Sequence, residues 1–318
     1  MRAAATLAAA VRRVARPERA ALVSPQQSID WSYGELDLRS RSLAAGLSEL
    51  GVKRGDAVVT DFPNTAENLV TQLALSHLGA VVASAKDAAA IAKLQDSGTP
   101  VLAALCATSE SSLLSFALKL PPVILSGSAT ELWTGGGGTS LPYEELATCA
   151  PDDADPVDDP DALHGSYNGS LLSSAALGSL AADAARELST LESDRVCVSI
   201  SLLHAFGIGS AVGSALTSGA TVVLPAVGGI RGCGNPEQRA DVTLQVLGST
   251  GATQLFADTH TLRALPSPGE AALALRTGVV KIGSGSDFLK GVTEAAKDLP
   301  LVFNGVPLHA MGKASATA

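Results

Sequence analysis

Apolar positions between residues 31 and 50 fall at helical spacing. Leu36, Leu43, Leu47 and Leu50 lay one stripe along WSYGELDLRSRSLAAGLSEL, and Gly51 supplies the stop. Asp56 leads into Ala57-Val58-Val59-Thr60, a short β-branched run that reads as a strand. Glu67 to Leu78 is helical, and Gly79 precedes a second apolar run, Ala80-Val81-Val82-Ala83. Strand, helix, strand is the order of a parallel α/β sheet, because parallel strands need a crossover long enough to hold a helix. A further cycle runs through a helical stretch at 87–97, the apolar run Pro100 to Leu105, a helix at 109–119 and Val123-Ile124-Leu125.

From Ser126 to Leu163 this rhythm gives way to Gly135 to Gly138 and to Pro151-Asp152-Asp153-Ala154-Asp155-Pro156, followed by Asp158, Asp159 and Asp161. A calcium loop needs ligands at regular offsets closed by a glutamate, which this run lacks. Residues 126–163 are therefore expected to form an acidic Gly/Pro/Asp linker between two lobes. Val196 to Ile230 contains no Asp, Glu, Lys or Arg, so it has to be tested as a membrane span. Gly and Ser recur through it and Pro225 interrupts it. It divides better into a strand (Val196 to Leu202), a small-residue helix (Ser210 to Thr217) and a strand (Thr221 to Leu224) buried on both faces. No transmembrane span is expected.

A chain of 318 residues exceeds the usual size of one core, which agrees with two lobes. Aromatic residues make up only 3%, so the cores must be built from Ala, Val, Leu and Ile. The net charge of −9 opposes a phosphate-binding surface, and no direct nucleic-acid ligand is expected. Cys106, Cys149, Cys197 and Cys233 are far apart, without the paired spacing of a zinc site or disulfide framework, so no metal site is expected. Arg2, Arg12, Arg13, Arg16 and Arg19 sit among alanines and aliphatics, with Glu18 the one acid before Asp30. That composition resembles a mitochondrial targeting helix, and it equally describes a surface helix with a basic face.

Two local motifs give little. Gly207-Ile208-Gly209-Ser210-Ala211-Val212-Gly213 has the look of a dinucleotide-binding turn, but the strand at Thr221 to Leu224 ends without the acid that holds a ribose. No G-x-S-x-G occurs, so an α/β-hydrolase reading has no nucleophile.

The order of several segments is more specific. Trp31-Ser32-Tyr33-Gly34-Glu35-Leu36, Gly51-Val52-Lys53-Arg54-Gly55-Asp56, Pro63-Asn64-Thr65-Ala66-Glu67 and Leu78-Gly79-Ala80-Val81 together resemble the opening of the adenylate-forming superfamily, the acyl-CoA synthetases in particular. The resemblance continues through Leu203-His204-Ala205-Phe206-Gly207, similar to a His-containing segment that lines the acyl and adenylate pocket. It passes on through Ser218 to Leu224 and Gly278 to Ser286. It implies two interleaved α/β lobes, residues 1–56 with 191–318 as one and 57–190 as the other, without the small C-terminal domain.

The departures from that pattern carry the functional expectation. In the family a Ser/Thr/Gly loop ending in Pro-Lys-Gly wraps the ATP phosphates, because donors and a cation must neutralise the triphosphate. Here Ser166 to Ala176 keeps Gly169 and Ser170, but Leu171 and Leu172 replace a hydroxyl and a glycine, and Ala175 stands at the lysine position. The family's Tyr-Gly-x-Thr-Glu, whose glutamate holds magnesium, is matched by Met311-Gly312-Lys313-Ala314-Ser315, without ring or carboxylate. Ala318 precedes the family's ribose-binding aspartate, its hinge and the mobile domain carrying the catalytic lysine. The resemblance thus implies no catalytic residue and no cofactor. What remains is a vestigial cofactor site at Gly169, Ser170, His204, Gly283, Gly285 and Gly312. His204 itself has a plain structural role open to it, as do His77, His164, His260 and His309. The expected function is an inactive, acyl-CoA-synthetase-like accessory subunit of a larger, mitochondrial complex, with other protein subunits as partners. The alternatives are a non-catalytic acyl, CoA or nucleotide binding module, and a ligase completed by a partner chain.

Overall fold

The computed structural model describes residues 6–84, 88–106, 123–125, 140–167, 170–226, 235–267, 273–281 and 302–311. The contacts divide the chain into two units, the first of residues 1–19, 32–63 and 67–178, the second of 20–31, 64–66 and 179–318. The expected helix at 109–119 falls outside the described residues.

The first unit is built on β3 (Ala57–Asp61), β4 (Val81–Ser84), β5 (Val101–Cys106), β6 (Val123–Leu125), β7 (Ser140–Pro142), β8 (Leu163–Tyr167) and β9 (Ser170–Ser173). The strand order is β7-β6-β5-β3-β4-β8-β9, parallel except for the antiparallel pair β8 and β9. Its helices are α1 (Leu7–Arg12), α2 (Tyr33–Glu49), α3 (Ala66–Leu78), α4 (Ala88–Asp96) and the short α5 (Tyr143–Ala147). Helix α2 begins at Tyr33, two residues into the segment 31–50 read as helical, because Ser32 caps it. The Glu35 amide donates to Ser32 Oγ at 3.2 Å and the Ser32 amide donates to Glu35 Oε2 at 2.7 Å, satisfying two of the donors a helix start leaves open. Leu36, Leu43 and Leu47 are fully buried, as the stripe requires. Gly46 lets α5 come close, since a Cβ there would lie 2.7 Å from the Leu146 carbonyl oxygen. This contact groups α2 with the 57–178 sheet, whereas the sequence reading placed residues 1–56 with the C-terminal lobe.

The acidic segment is not a free connector. Its described residues, 140–163, belong to the first unit, where 140–147 form β7 and α5. Asp153, Asp158 and Asp159 are ion-paired to Arg41, Arg13 and Arg54. Clustered aspartates look like solvated chain in a sequence because their arginine partners are distant along it.

In the second unit β1 (Ala20–Ser24), β2 (Ile29–Ser32), β10 (Arg195–Ser199), β11 (Thr221–Val223), β12 (Gln254–Asp258), β13 (Thr277–Lys281) and β16 (His309–Met311) form a sheet in the order β16-β13-β12-β10-β11-β1-β2. The central pairs are parallel, with Val196 in register with both Val222 and Gln254. A hairpin of β14 (Val302–Phe303) and β15 (Val306–Pro307) stands apart from it. The helices are α6 (Ser174–Glu187), α7 (Gly213–Ser218), α8 (Pro236–Thr250) and α9 (Thr259–Ala264). The described part of the uncharged run is buried core, with Val198, Phe206, Leu216 and Val222 at 0–1% exposure. Among the described residues no helix is long and apolar enough to cross a membrane. The strand expected over 196–202 ends at Ser199, and a π-helical segment, Phe206–Val212, precedes α7.

At the N-terminal edge of this sheet Asp194 gathers a polar staple. Arg276 Nε donates to Asp194 Oδ1 at 2.9 Å, Thr253 Oγ1 to Oδ1 at 2.7 Å and Gln254 Nε2 to Oδ2 at 3.1 Å. Burial pushes the Asp194 carboxyl up, but these donors and the Leu191 amide outweigh it and hold the group below the usual carboxylate range.

Candidate functional site

Ligands of parallel sheets sit beyond the carboxyl ends of the strands, and the second unit gathers its chemistry there. β10 ends at Ser199, β12 at Asp258 and β13 at Lys281, and Asp258 and Lys281 are register partners. Arg239 of α8 donates to both Asp258 oxygens, at 3.1 and 2.8 Å, and its Nε donates to Thr261 Oγ1 at 2.7 Å. Asp258 also caps α9 by accepting from the Thr261 amide at 2.7 Å. Arg239, Asp258 and Lys281 are all buried.

His204 is held over this edge by backbone geometry. Asn64 Nδ2 donates to the Ile200 carbonyl at 2.5 Å, and the Leu202 amide donates to Asn64 Oδ1 at 2.9 Å, fixing the turn after β10. The Phe206 amide donates to His204 Nδ1 at 3.0 Å, so Nδ1 is the acceptor and the neutral ring carries its proton on Nε2. Burial, reinforced by Lys281 and opposed by Asp258, pushes His204 down to about 3. The imidazole is therefore neutral at physiological pH, a donor rather than a cation.

The π-helical segment completes the edge. Gly207 is obligatory there, because a Cβ would lie 2.1 Å from the Ser201 carbonyl oxygen. Ser210 Oγ is fully buried and has no hydrogen-bond partner among the described residues. A buried hydroxyl without a partner costs about 1–3 kcal/mol, and π-helical turns recur at functional sites for the same reason, that strain is kept where it is used. The neutral His204, with Lys281 and Asp258 within electrostatic reach, gives this strand edge a polar character suited to the polar end of an otherwise apolar ligand.

In the first unit, the phosphate-loop region has a different form from the one expected. β8 and β9 pair antiparallel with Ser166 opposite Leu171 and Tyr167 opposite Ser170, leaving two residues between the strands. Leu171 and Leu172 are strand residues, not loop residues, and Ala175 lies in the first turn of α6, where its amide donates to the Pro160 carbonyl at 2.9 Å. Behind the hairpin Tyr167 Oη donates to Gln72 Oε1 at 2.9 Å, and Gln72 Nε2 to Asn68 Oδ1 at 2.9 Å. Asn68 in turn donates to the carbonyls of Phe62 and Pro63. His164 is buried on β8, and burial pushes it down to about 4.

Of the expected vestigial residues, His204 takes its place at the strand ends and Ser170 opens β9, while Gly169, Gly283, Gly285 and Gly312 lie outside the described residues. Ser210, Lys281, Arg239 and Asp258 escaped the sequence reading. The signal in the sequence that would have led to the site, and was not used, is a lysine closing the apolar run Gly278 to Val280. Among the described residues no three His, Cys, Asp or Glu side chains are placed to hold a metal ion.

Comparison with known proteins gives this geometry a class. Residues 10–114 match the family described as AMP-binding enzyme. The 4-coumarate–CoA ligase 5 of Oryza sativa subsp. japonica is 43% identical over 70 residues, 22% of this chain and 13% of that protein. The 2,3-dihydroxybenzoate-AMP ligase of Bacillus subtilis is 47% identical over 51 residues, 16% of this chain and 10% of that protein. Among solved structures, a benzoate CoA ligase from Burkholderia xenovorans LB400 superposes with a TM-score of 0.70 at 20% identity, over 95% of this chain and 60% of that one. The anthranilate CoA ligase AuaEII in complex with anthranoyl-AMP gives 0.72 at 16%, over 97% and 60%. The chain has the fold of the N-terminal domain of adenylate-forming ligases. Its residues 10–114 are similar to the AMP-binding enzyme family, and the chain spans about three fifths of those ligase structures.

Proposed function

We propose that the chain is an acyl-CoA-ligase-like protein that does not adenylate, and that it acts as an accessory subunit of a larger, mitochondrial assembly. The observation that carries the first part is the β8–β9 hairpin. In the resembled family the phosphates are wrapped by a donor-rich loop with a lysine. Here two residues separate Tyr167 from its cross-strand partner Ser170. Strand amides committed to a ladder are not free to cradle an anion, and no lysine occurs between Tyr167 and Ala176. The subunit role follows from a fold kept after its site has gone, and the mitochondrial placement rests on the basic N-terminal segment. Purifying the native particle tests both: co-migrating protein partners in a mitochondrial fraction are expected, and a free monomer outside it contradicts them.

A second reading is favoured by one specific feature, the buried, neutral His204 after β10, within electrostatic reach of Lys281 and Asp258. On it, the second unit holds the polar end of an acyl or aryl group without chemistry. Calorimetry with acyl-CoA, fatty acid, an aromatic carboxylate and AMP separates the two. Saturable heat with an acyl or aromatic ligand supports binding, and none supports a purely architectural role.

A further inference from the structure

We infer that residues 152–159 form an internal clasp over the basic face of the N-terminal segment, and that in the folded chain this clasp hides the segment from anionic lipid surfaces. Four guanidinium groups on three stretches of the first unit meet one acidic stretch. Arg12 and Arg41 share Asp37 Oδ2 at 3.0 and 2.9 Å. Arg41 Nη1 also donates to Asp153 Oδ1 at 2.9 Å and to the Asp152 carbonyl at 3.1 Å, and Arg12 Nη2 to the Asp153 carbonyl at 3.4 Å. Arg13 pairs with Asp158 at 2.7 Å, and Arg54 with Asp159. Between these pairs the Val157 amide donates to the His77 carbonyl at 3.0 Å, and a Cβ on Gly79 would lie 3.0 Å from the Val157 side chain. The stretch is thus fixed by charge along its length and by backbone and apolar contact in the middle.

Helix α1 itself is docked. Leu7, Ala8, Ala9, Ala10 and Val11 are buried, Thr6 Oγ1 accepts from the Ala9 amide at 3.2 Å, and the Ala8 amide donates to Ser76 Oγ at 3.3 Å. An amphipathic helix binds an anionic membrane through its basic side chains and its apolar face together. In this fold both are already engaged, so lipid contact is open only to the unfolded or unclasped chain. The pairs range from Arg41, with 11% of its side chain exposed, to Asp153 at 95%, so the hold is tightest where Arg12 and Arg41 share Asp37 and is loosened by salt.

The test uses the full chain and vesicles of phosphatidylcholine with or without cardiolipin. A variant carrying Asp153→Asn, Asp158→Asn and Asp159→Asn is compared with wild type and with a charge-matched control, Asp30→Asn, Asp96→Asn and Glu145→Gln, at exposed positions outside the clasp. The clasp variant is expected to co-sediment with cardiolipin vesicles at least about tenfold more tightly than the control, because it removes the carboxylate partners of Arg13 and Arg54 while Arg12 and Arg41 keep Asp37, and adding Arg13→Gln and Arg54→Gln should remove the gain. Wild type binding as well as the clasp variant, or the clasp variant binding no better than the control, overturns the inference. The single Asp158→Asn change gives a second readout: faster amide exchange at Ala9 to Val11 is expected, and unchanged exchange contradicts it.

Discussion

Tyr167 and Ser170 face each other across an antiparallel pair, with two residues between them. In a fold shared with adenylating ligases, that short link stands where the resemblance places a phosphate-wrapping loop. A ladder does not open for a ligand without losing its own hydrogen bonds. Amide protons of β8 and β9 are therefore expected to exchange slowly, and their rates to be unchanged by magnesium and ATP. Protection that rises on adding nucleotide would contradict this.

Ser210 separates a functional from a structural reading by sign. Its hydroxyl is buried without a partner among the described residues, so Ser210→Ala removes a desolvation cost and is expected to raise stability by about 1 kcal/mol. If the second unit binds an acyl or aryl group, the same change weakens binding several-fold. Urea denaturation and calorimetry on one protein preparation read both. A loss of stability from Ser210→Ala shows that the hydroxyl has a structural partner.

Burial holds His164 at about 4, below the ordinary imidazole value. Below about pH 6.5 the unfolded chain binds a proton that the folded chain refuses until pH 4. Stability from this residue is complete above that window and falls as pH drops through it, by about 1.4 kcal/mol per pH unit at most. His204, held at about 3, acts in the same direction over a wider range. His164→Phe keeps the ring against Tyr167 and removes the proton, so the variant's unfolding free energy should rise relative to that of wild type as pH falls from 6.5 to 4. Parallel pH profiles would rule out His164 as a source of the acid sensitivity.

Gly46 sets helix propensity against packing. Alanine is better than glycine inside a helix by about 1 kcal/mol, yet a Cβ at this position meets the backbone of Leu146 at 2.7–2.9 Å. Overpacking against backbone costs about 1–3 kcal/mol, so Gly46→Ala is expected to destabilise on balance. The check is a chemical denaturation midpoint, with Gly248→Ala, which has open space around it, as the comparison that should stabilise.

The parallel order of both sheets was legible because each unit repeats strand, helix and strand with stops at Gly51 and Gly79. The site was less so, for physical reasons. Reading Ser166 to Ala176 residue by residue against a loop pattern gave substitutions, whereas Ser-Leu-Leu-Ser is a strand whose partner lies just upstream. The aspartates at 152–159 looked solvated because Arg12, Arg13, Arg41 and Arg54 are about a hundred residues or more away in sequence. Arg239, Asp258 and Lys281 come from three separate elements, and nothing in their spacing brings them together.

ATP–pyrophosphate exchange by the isolated chain, with magnesium and a panel of fatty, aromatic and short carboxylic acids, bears most directly on the proposal that this fold no longer adenylates. Exchange no faster than the enzyme-free rate with every acid is the expected result. Saturable, acid-dependent exchange that survives repurification would show that triphosphate is held and cleaved despite the two-residue link between Tyr167 and Ser170.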